Sequence, residues 1–540
     1  MTGSPGGAPG AAPGAASGGR RSGSTTGDGA AEDGSAATSL RWLQLAVALA
    51  TVLAFFPAYS AGWVWDDEPN FLHHDRWRGL GPAQLAWMWT TTWMGHYQPL
   101  SWMTLGANWV LGGHDPRGYH VVNVLLHAAS SAMLVPILAR LAPAAGRVGW
   151  AAGALFFAIH PLRVESVVWV TERRDVLAMV FALGTLAAWL RWVDTGRKSA
   201  WALALVLYVL SLLSKAHAVT LPVVLLFLDA WPLQRLRPVS RSILEKLPFF
   251  AVAALCGLLA LHAQNETGAF HAVDEHGIAE RIATAAYGAS LYPGEFLAPL
   301  ALSPSHHASE VARVPTAVTV GALGAITALV VALRRRTPGP LLAWTTYLLV
   351  LAPVSGLLQS GTQACADRYT YFSGLPFAFL VAAGVGAAVA WRRWLAVGVV
   401  AWLVALGVAT WRYAAVWHDS LSLWSYGATA SPDDPIITTN LAAALEGVGR
   451  LEEAVAVAAH TVEVSPDERA GYRYGRLLHL AGRDEEAEKV LLRIPANAEF
   501  RPRAACLVAR IREARGDVEG AERARAAAGR DCAEIDGGGR

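Results

Sequence analysis

The feature that most limits what this chain can become is a series of apolar runs about 18 to 22 residues long, the length a helix needs to cross a hydrocarbon core about 30 Å thick. About eleven such runs lie at residues 42–60, 119–140, 148–168, 175–193, 199–214, 216–233, 248–263, 314–333, 339–358, 373–390 and 394–411, each bounded by charged residues or Pro/Gly clusters. Of the 540 residues 54% are hydrophobic and 16% charged, against about 25% charged in an ordinary soluble protein. A single soluble domain is excluded, and the fold class expected is an all-α polytopic membrane domain. The net charge of +2 is too small to suggest nucleic acid, and no basic face with interleaved aromatics is present, so no nucleic-acid partner is expected.

The arrangement of charge matters more than its sum. Walking from a cytoplasmic N-terminus, alternate connections hold Arg140 and Arg147, then Arg191, Arg197 and Lys198, then Arg235, Arg237, Arg241 and Lys246, then Arg334, Arg335 and Arg336, then Arg392 and Arg393. The opposite face receives most of the acidic residues, among them Asp66, Asp67, Glu68, Glu165, Glu172, Asp274, Glu295 and Asp367. The positive-inside rule then fixes the orientation. An odd number of crossings puts the C-terminal region outside the cytoplasm.

Residues 1–40 are Gly-, Ala-, Ser- and Pro-rich, with too few large apolar side chains to offset chain entropy, and read as a disordered cytoplasmic tail. A membrane domain follows over 41–412, with outer loops 61–118 and 264–313. Within the second loop 281–302 is apolar but carries Pro293, Gly294 and Pro299, and reads as an interfacial or re-entrant segment. A crossing there would invert every later connection. Residues 76–110, rich in Trp, read as helices lying on the outer interface.

After Trp411 the composition changes to a charged, Ala-rich helical pattern. Gly449-Arg450-Leu451-Glu452-Glu453-Ala454 recurs as Gly482-Arg483-Asp484-Glu485-Glu486-Ala487 and, more loosely, as Gly516-Asp517-Val518-Glu519-Gly520-Ala521, at spacings of 33 and 34 residues. That is the tetratricopeptide period, so 413–530 is expected to stack helical hairpins into a short solenoid for protein or peptide recognition. Residues 531–540 read as a disordered tail. The four cysteines, Cys256, Cys365, Cys506 and Cys532, show no CxxC spacing, so neither a zinc site nor a dense disulfide framework is indicated.

Charged residues at or in a bilayer are costly, which makes each of them a functional candidate. Asp66, Asp67 and Glu68 follow the first span beside Trp63 and Trp65. Repulsion and partial desolvation would raise at least one pKa, which suits a general base. The plain alternative is a solvated acidic turn capping a helix. Gln98 follows, then His120, Asn123 and His127 at helical spacing, which either line a polar cavity or pair with another helix. No metal-ligand motif accompanies them, so no metal site is expected. The densest cluster is His160, Arg163, Glu165 and Ser166 with Glu172, Arg173, Arg174 and Asp175, joined by Lys215 and by Asp367, Arg368 and Tyr369. Guanidinium forks match phosphate oxygens. Each cation could instead pair with a carboxylate, but together they suggest a pocket for a phosphorylated lipid headgroup.

The stretch His160-Pro161-Leu162-Arg163-Val164-Glu165-Ser166-Val167-Val168-Trp169-Val170-Thr171-Glu172-Arg173-Arg174-Asp175-Val176-Leu177 resembles the HPLHVESVAWVAERKDVL segment of bacterial multi-pass tetratricopeptide proteins. Leu212-Leu213-Ser214-Lys215 through Leu228-Asp229-Ala230-Trp231-Pro232-Leu233, Ala366-Asp367-Arg368-Tyr369-Thr370-Tyr371, and Gly118-Tyr119-His120-Val121-Val122-Asn123 extend the likeness over about 41–530. These proteins are similar to the transmembrane-and-tetratricopeptide O-mannosyltransferases. The resemblance implies a glycosyltransferase of GT-C architecture. It would move a sugar, mannose being the first choice, from a polyprenyl-phosphate donor to Ser/Thr hydroxyls of an extracytoplasmic protein. It also implies that Asp66 or Asp67 is the base and that the phosphate is held by Arg163, Arg173, Arg174, Lys215 or Arg368. Arg163 replaces the second histidine of the family's HPLH pattern, and Ala216-His217-Ala218 stands after Ser214-Lys215 where relatives often have proline and a bulkier residue. No cofactor is required by this chemistry, and the partners implied are the lipid-linked sugar and an acceptor polypeptide held by the repeats. The rival expectation is a membrane-anchored repeat scaffold without catalysis.

Overall fold

The computed structural model describes residues 2–3, 28–266, 277–300, 302–307, 311, 313–357, 363–529 and 532. The expected disordered segments 1–40 and 531–540 thus fall largely outside the described residues. Where the first is described it differs from expectation, because a helix already runs over Asp28–Ala54. The chain divides into a unit over residues 1–42 and a second from Leu43 onward. The second unit holds the eleven apolar runs, apart from Trp42 at the start of the first run.

Each of the eleven apolar runs is helical. Five helices are long and apolar enough to cross a membrane: Pro116–Leu141, Val170–Thr195, Val239–Glu266, Thr316–Leu333 and Leu395–Val416. Two more runs are bent pairs, Pro143–Ala158 with Pro161–Val168 (51°) and Asp367–Ser373 with Leu375–Trp391 (63°). The other four are shorter apolar helices: Thr38–Ala54, Lys198–Ser214, Ala216–Ala230 and Pro338–Val354. Residues 278–297 form one helix that continues through Pro293, where the sequence suggested a break, and it is not among those long and apolar enough to cross.

Small residues set the closest helix contact. Helix Gly146–Ala158 places Gly149 and Gly153 one turn apart, against Ala378, Ala382 and Gly386 of helix Leu375–Trp391. A Cβ added at Gly149 would lie 2.4 Å from the Ala382 carbonyl oxygen, and one at Gly153 would lie 2.4 Å from that of Ala378. Backbone thus meets backbone, the device by which helices associate where lipid offers no hydrophobic drive. Polar side chains add cross-links. Thr410 Oγ1 donates to Ile159 O (2.6 Å), Ser211 Oγ to Ala178 O (2.8 Å) and Tyr347 Oη to Ala289 O (2.8 Å). Because both helices of the close pair begin or end at a bend, their contact carries the segments Pro161–Val168 and Asp367–Ser373 to one another.

Residues 61–115 hold helices where 76–110 suggested them, and they enclose a core of their own. The short helices Pro82–Thr90 and Pro99–Gly112 fold over an aromatic core in which Phe71, Trp77, Met88, Trp102 and Tyr119 are buried. Of the tryptophans in 76–110, Trp89 and Trp93 stay exposed. The rings pair edge to face, Phe71 with Trp77 at 5.5 Å and Trp87 with Trp102 at 5.2 Å. The loop supplies enough aromatic surface to make a core of its own.

The last apolar helix runs on to Val416. After helix Ser420–Ala430 come three helical hairpins, Pro435–Gly447 with Leu451–Val464, Glu468–Leu480 with Asp484–Leu492, and Arg501–Ala514 with Val518–Ala528. The repeated glycines Gly449, Gly482 and Gly516 make the turns, at φ of +76°, +75° and +79°. A side chain there would be strained, which explains why glycine opens each copy of the motif. Ion pairs tie successive hairpins, Arg476 to Glu446 (2.5 Å) and Arg512 to Glu488 (2.6 Å). Cys506 and Cys532 form a disulfide that spacing alone did not suggest. An antiparallel strand pair, His306–His307 with Gln363–Cys365, lies near this region, since Pro304 packs against Gly427.

The close pair gives a direct test. Gly153→Val should cost about 1–3 kcal/mol through overpacking, read as a lowered thermal unfolding temperature in detergent. Gly257→Ala, which meets nothing within 4 Å, should leave it unchanged. Equal behaviour of the two variants would show that the contact does not set stability.

Candidate active site

The residues singled out from the sequence separate into two sets. One set binds the fold together. His160 caps its own turn, its Nδ1 accepting from Leu162 N (3.2 Å), while Nε2 meets Phe296 O (3.2 Å). Arg163 donates to Thr370 O (2.6 Å) and lies 5.6–5.8 Å from the rings of Phe157, Phe296 and Tyr371. Arg173 donates to Asn123 Oδ1, to Asn108 Oδ1 (2.9 Å) and to Tyr119 O (2.8 Å). Both guanidiniums are buried with neutral partners, and Arg163 Nε is left without a hydrogen-bond partner. His120 meets Gly62 O (3.2 Å), and His127 lies between Tyr371 Oη (2.8 Å) and Ala158 O (2.9 Å). The histidine face of this helix therefore pairs with other elements. Gln98 caps helix Pro99–Gly112 and is buried, and Glu68 is exposed to solvent.

The other set converges on Glu172, which the sequence placed in the cluster without giving it a role. Its carboxylate is buried and meets Arg174 Nη2 at 2.6 Å, Lys215 Nζ at 2.8 Å and Arg368 Nε at 3.6 Å. Lys215 also bridges to Asp175 (2.7 Å), which accepts from Ser166 Oγ (3.0 Å). Arg368 pairs with Glu165 through its side chain, donates its backbone N–H to the same carboxylate (2.8 Å), and reaches Gln363 Oε1 (2.7 Å). Its guanidinium lies 5.1 Å from the ring of Tyr369 and 5.7 Å from that of Trp169. Asp367 stands alongside, 3.7 Å from His306 Nε2. Three cations and three carboxylates thus balance, and buried ion pairs of this kind need such compensation to form. Donor capacity is left over: Arg174 Nη1 is buried with no hydrogen-bond partner, and an ammonium has three N–H groups, of which Glu172 and Asp175 engage two.

The acidic run after the first apolar helix divides sharply. Asp67 is fully buried and satisfied, accepting from Thr171 N (2.8 Å), Thr171 Oγ1 (2.7 Å) and Val64 N (3.3 Å). Burial outweighs these hydrogen bonds and pushes its pKa up to about 7. Asp66 is partly exposed and faces the cation cluster; burial raises its pKa, with the Arg368 and Arg174 charges opposing. His96, which the sequence gave no reason to single out, stands within range of the same cations. Burial first, then Arg174 and Lys215, hold it neutral, well below the usual imidazole pKa.

Trp65 sets the direction of Asp66. It is one of four non-Gly residues with positive φ among the described residues, at +55°, a conformation costing about 1–3 kcal/mol that persists only where surroundings hold it. Its indole stacks on Trp169 at 4.5 Å, 2° from parallel, and meets the edge of Trp424 at 4.9 Å, while its backbone N–H donates to Ser420 Oγ (3.3 Å).

An apolar groove of about 650 Å³ has one end close to Lys215 in the chain, and no residue of the ion-pair cluster lines it. Ala218 and Phe372 line its near end, and Phe372 stacks on His217 at 4.8 Å, two residues from Lys215. Trp231, Pro232 and Arg336 line its far end. Its wall follows helix Pro338–Leu351 from Pro338 to Val350, about 18 Å at 1.5 Å per residue. Among the described residues no group of three His, Cys, Asp or Glu side chains is placed to hold a metal ion.

No protein-family model matches the chain. Among curated proteins, it is 30% identical over 166 residues to the human protein O-mannosyl-transferase TMTC4, covering 26% of this chain and 22% of that one. It is 34% identical over 187 residues to protein O-mannosyl-transferase Tmtc2 of Drosophila melanogaster, covering 32% and 20%. To Tmtc3 of the same organism it is 23% identical over 481 residues, covering 74% and 52%. The matched stretches therefore span from about a fifth to about half of these relatives' own length. As its motifs led one to expect, the chain is similar to the TMTC protein O-mannosyl-transferases.

Proposed function

We propose that the chain is a membrane glycosyltransferase moving a sugar, mannose by analogy with the names of its relatives, from a polyprenyl-phosphate donor to Ser or Thr hydroxyls of a polypeptide. The observation that carries this reading is the partly exposed Asp66 facing the Arg174–Lys215–Arg368 cluster, with an apolar groove whose near end is close to Lys215 in the chain. The groove accepts the polyprenyl chain. The spare donors, Arg174 Nη1 and the third Lys215 N–H, take the phosphate. Asp66 accepts the proton of the acceptor hydroxyl as its oxygen bonds to the anomeric carbon. The bond from that carbon to the phosphate oxygen breaks, its electron pair leaves with the lipid phosphate, and configuration inverts. Preorganised donors matter most where this negative charge develops. A phosphate leaving group needs little acid catalysis, so one carboxylate suffices. With the cluster already charge-balanced, affinity comes from the groove and from the spare donors more than from net attraction.

The architecture in this proposal is of GT-C type, with about eleven crossings, a cytoplasmic N-terminus and the hairpins as extracytoplasmic tetratricopeptide repeats that present the acceptor. A disulfide between Cys506 and Cys532 suits an oxidising compartment and supports that sidedness. Asp67 has a different task from Asp66: it pins the loop through Thr171.

Transfer from labelled polyprenyl-phosphate mannose to a Ser/Thr peptide tests the base. Asp66→Asn should lower kcat about 10²-fold or more with donor binding retained; unchanged turnover would remove Asp66 from the mechanism. No transfer from any lipid donor by the intact protein would favour a non-catalytic scaffold. Asp67→Asn should instead keep most activity and alter stability with pH. The native state raises the Asp67 pKa from 3.8 to about 7, so between those values it holds a proton that the unfolded chain has released. Stability contributed by this group therefore falls as pH rises from about 4 to about 7, and the Asn variant should lose that slope in pH-dependent melting curves.

The phosphate ligands are tested by Arg174→Lys, which keeps the charge beside Glu172 but removes the spare Nη1. The Kd for the lipid donor should rise about tenfold, the worth of one charge-assisted hydrogen bond, at little cost in melting temperature. A donor Kd within twofold of the parent would exclude Arg174 as a ligand.

A further inference from the structure

The helical hairpins hold a second recess, of about 470 Å³, far in sequence from the cation cluster. Arg469, Arg473, Arg476 and Arg503 line it, with Tyr472 and Phe500 between them. Four guanidiniums meet two carboxylates there, and only one is used. Glu446 takes Arg476 through both oxygens (2.8 and 2.5 Å), whereas Glu499 has no ion pair among the described residues. Arg469 and Arg503 lie over Phe500 at 5.4 and 5.5 Å, which leaves their N–H edges available. Arg473 is half-buried and makes no hydrogen bond or ion pair among the described residues. Burial, then the charges of Arg469 and Arg476, hold its pKa below the usual arginine value, with Glu446 and Asp467 opposing, and the lining keeps four guanidiniums against the two carboxylates of Glu446 and Glu499.

We propose that this recess binds an acidic segment of polypeptide, whose Asp or Glu carboxylates supply the counter-charges that Arg469, Arg473 and Arg503 lack while an apolar side chain packs on Tyr472 and Phe500. Carboxylates are the natural occupants because a guanidinium presents two parallel donors to them. Exposed pairs at Arg469 and Arg503 contribute little each. The half-buried Arg473 has the most to gain. The inference rests on the transferase reading only in identifying this polypeptide as the acceptor, and it predicts that acceptors carry acidic residues near the modified Ser or Thr.

The test uses the full chain in zwitterionic nanodiscs and a fluorescent peptide in which Asp and Glu flank a Ser-Thr pair, beside a twin with Asn and Gln in their places. The acidic peptide should bind about tenfold tighter than its twin at low salt, and the gap should shrink strongly at about 0.5 M salt. Arg473→Glu should abolish the gap and Arg473→Lys should keep most of it. Arg503→Gln, at an exposed position, gives a second reading should Arg473→Glu lose helix content. Equal binding of the two peptides, or a gap untouched by both variants in folded protein, overturns the proposal. So does binding of phosphatidylglycerol vesicles, lost in Arg473→Glu, in place of the peptide. Donor binding measured on the same samples keeps the two readings apart. An intact charge preference without donor binding would count against the transferase, and donor binding without the preference against this recess.

Discussion

Glu172 has no route to water, and the surrounding structure follows from that. A buried carboxylate persists only with cations close by, and removing one partner of such a pair costs about 3–5 kcal/mol. Three partners come from three places in the chain: Arg174 from the next turn, Lys215 from the end of helix Lys198–Ser214, and Arg368 from the bend before helix Leu375–Trp391. One acidic side chain thereby fixes the relative positions of three segments. Glu165 and Asp175 repeat the arrangement at the edges, each sharing a cation with Glu172. The energy that holds these cations in place is the same energy that would keep them from reorganising when a phosphate arrives.

The cations can meet because the helices that carry them come unusually close. Glycine and alanine let the segments Gly146–Ala158 and Leu375–Trp391 touch through their backbones, and the bends at their ends aim Glu165 and Arg368 at each other. Gly374, at the second bend, has the same constraint: a Cβ there would lie 2.7 Å from Thr370 O and 2.9 Å from Arg163 Nη2. Arg163 is the bracket of this junction. Its Nη1 donates to a backbone carbonyl across the bend, and three aromatic rings surround it.

Much of this was legible in the residues, and what was not has identifiable causes. Apolar length located all eleven helical segments, and the 33-residue spacing located the hairpins with their turn glycines. The cluster's membership was readable because charge is scarce in this chain. Its division of labour was not. Arg163, Arg173, Arg174 and Arg368 look alike in sequence, yet two face amides, carbonyls and rings while two face carboxylates; Arg174 finds its partner two residues away, whereas those of Arg173, Arg163 and Arg368 lie 50, 207 and 203 residues off and are set by helix packing. Asp66 and Asp67 are neighbours with opposite surroundings, because successive residues of a tight turn point in different directions. The aromatic core of residues 61–115 escapes a sequence reading for a related reason: tryptophan marks an interface or a core equally well, and only the number of rings that find one another decides.

The connection between the two halves of the molecule lies at Trp65. Its backbone conformation is unfavourable for a residue with a Cβ, so neighbours must hold it there. Trp169 comes from the segment next to Thr171 and Glu172, whereas Trp424 and Ser420 come from the helix that leads into the hairpins. Gly62 N–H donates to His418 O (2.8 Å) on the same side. The turn that aims Asp66 is therefore gripped between the cation cluster and the hairpin region, and neither grip alone accounts for the strained backbone. A displacement of helix Ser420–Ala430 would be felt first at Trp65 and next at the adjoining carboxylate. In this fold the orientation of Asp66 depends on how helix Ser420–Ala430 is seated.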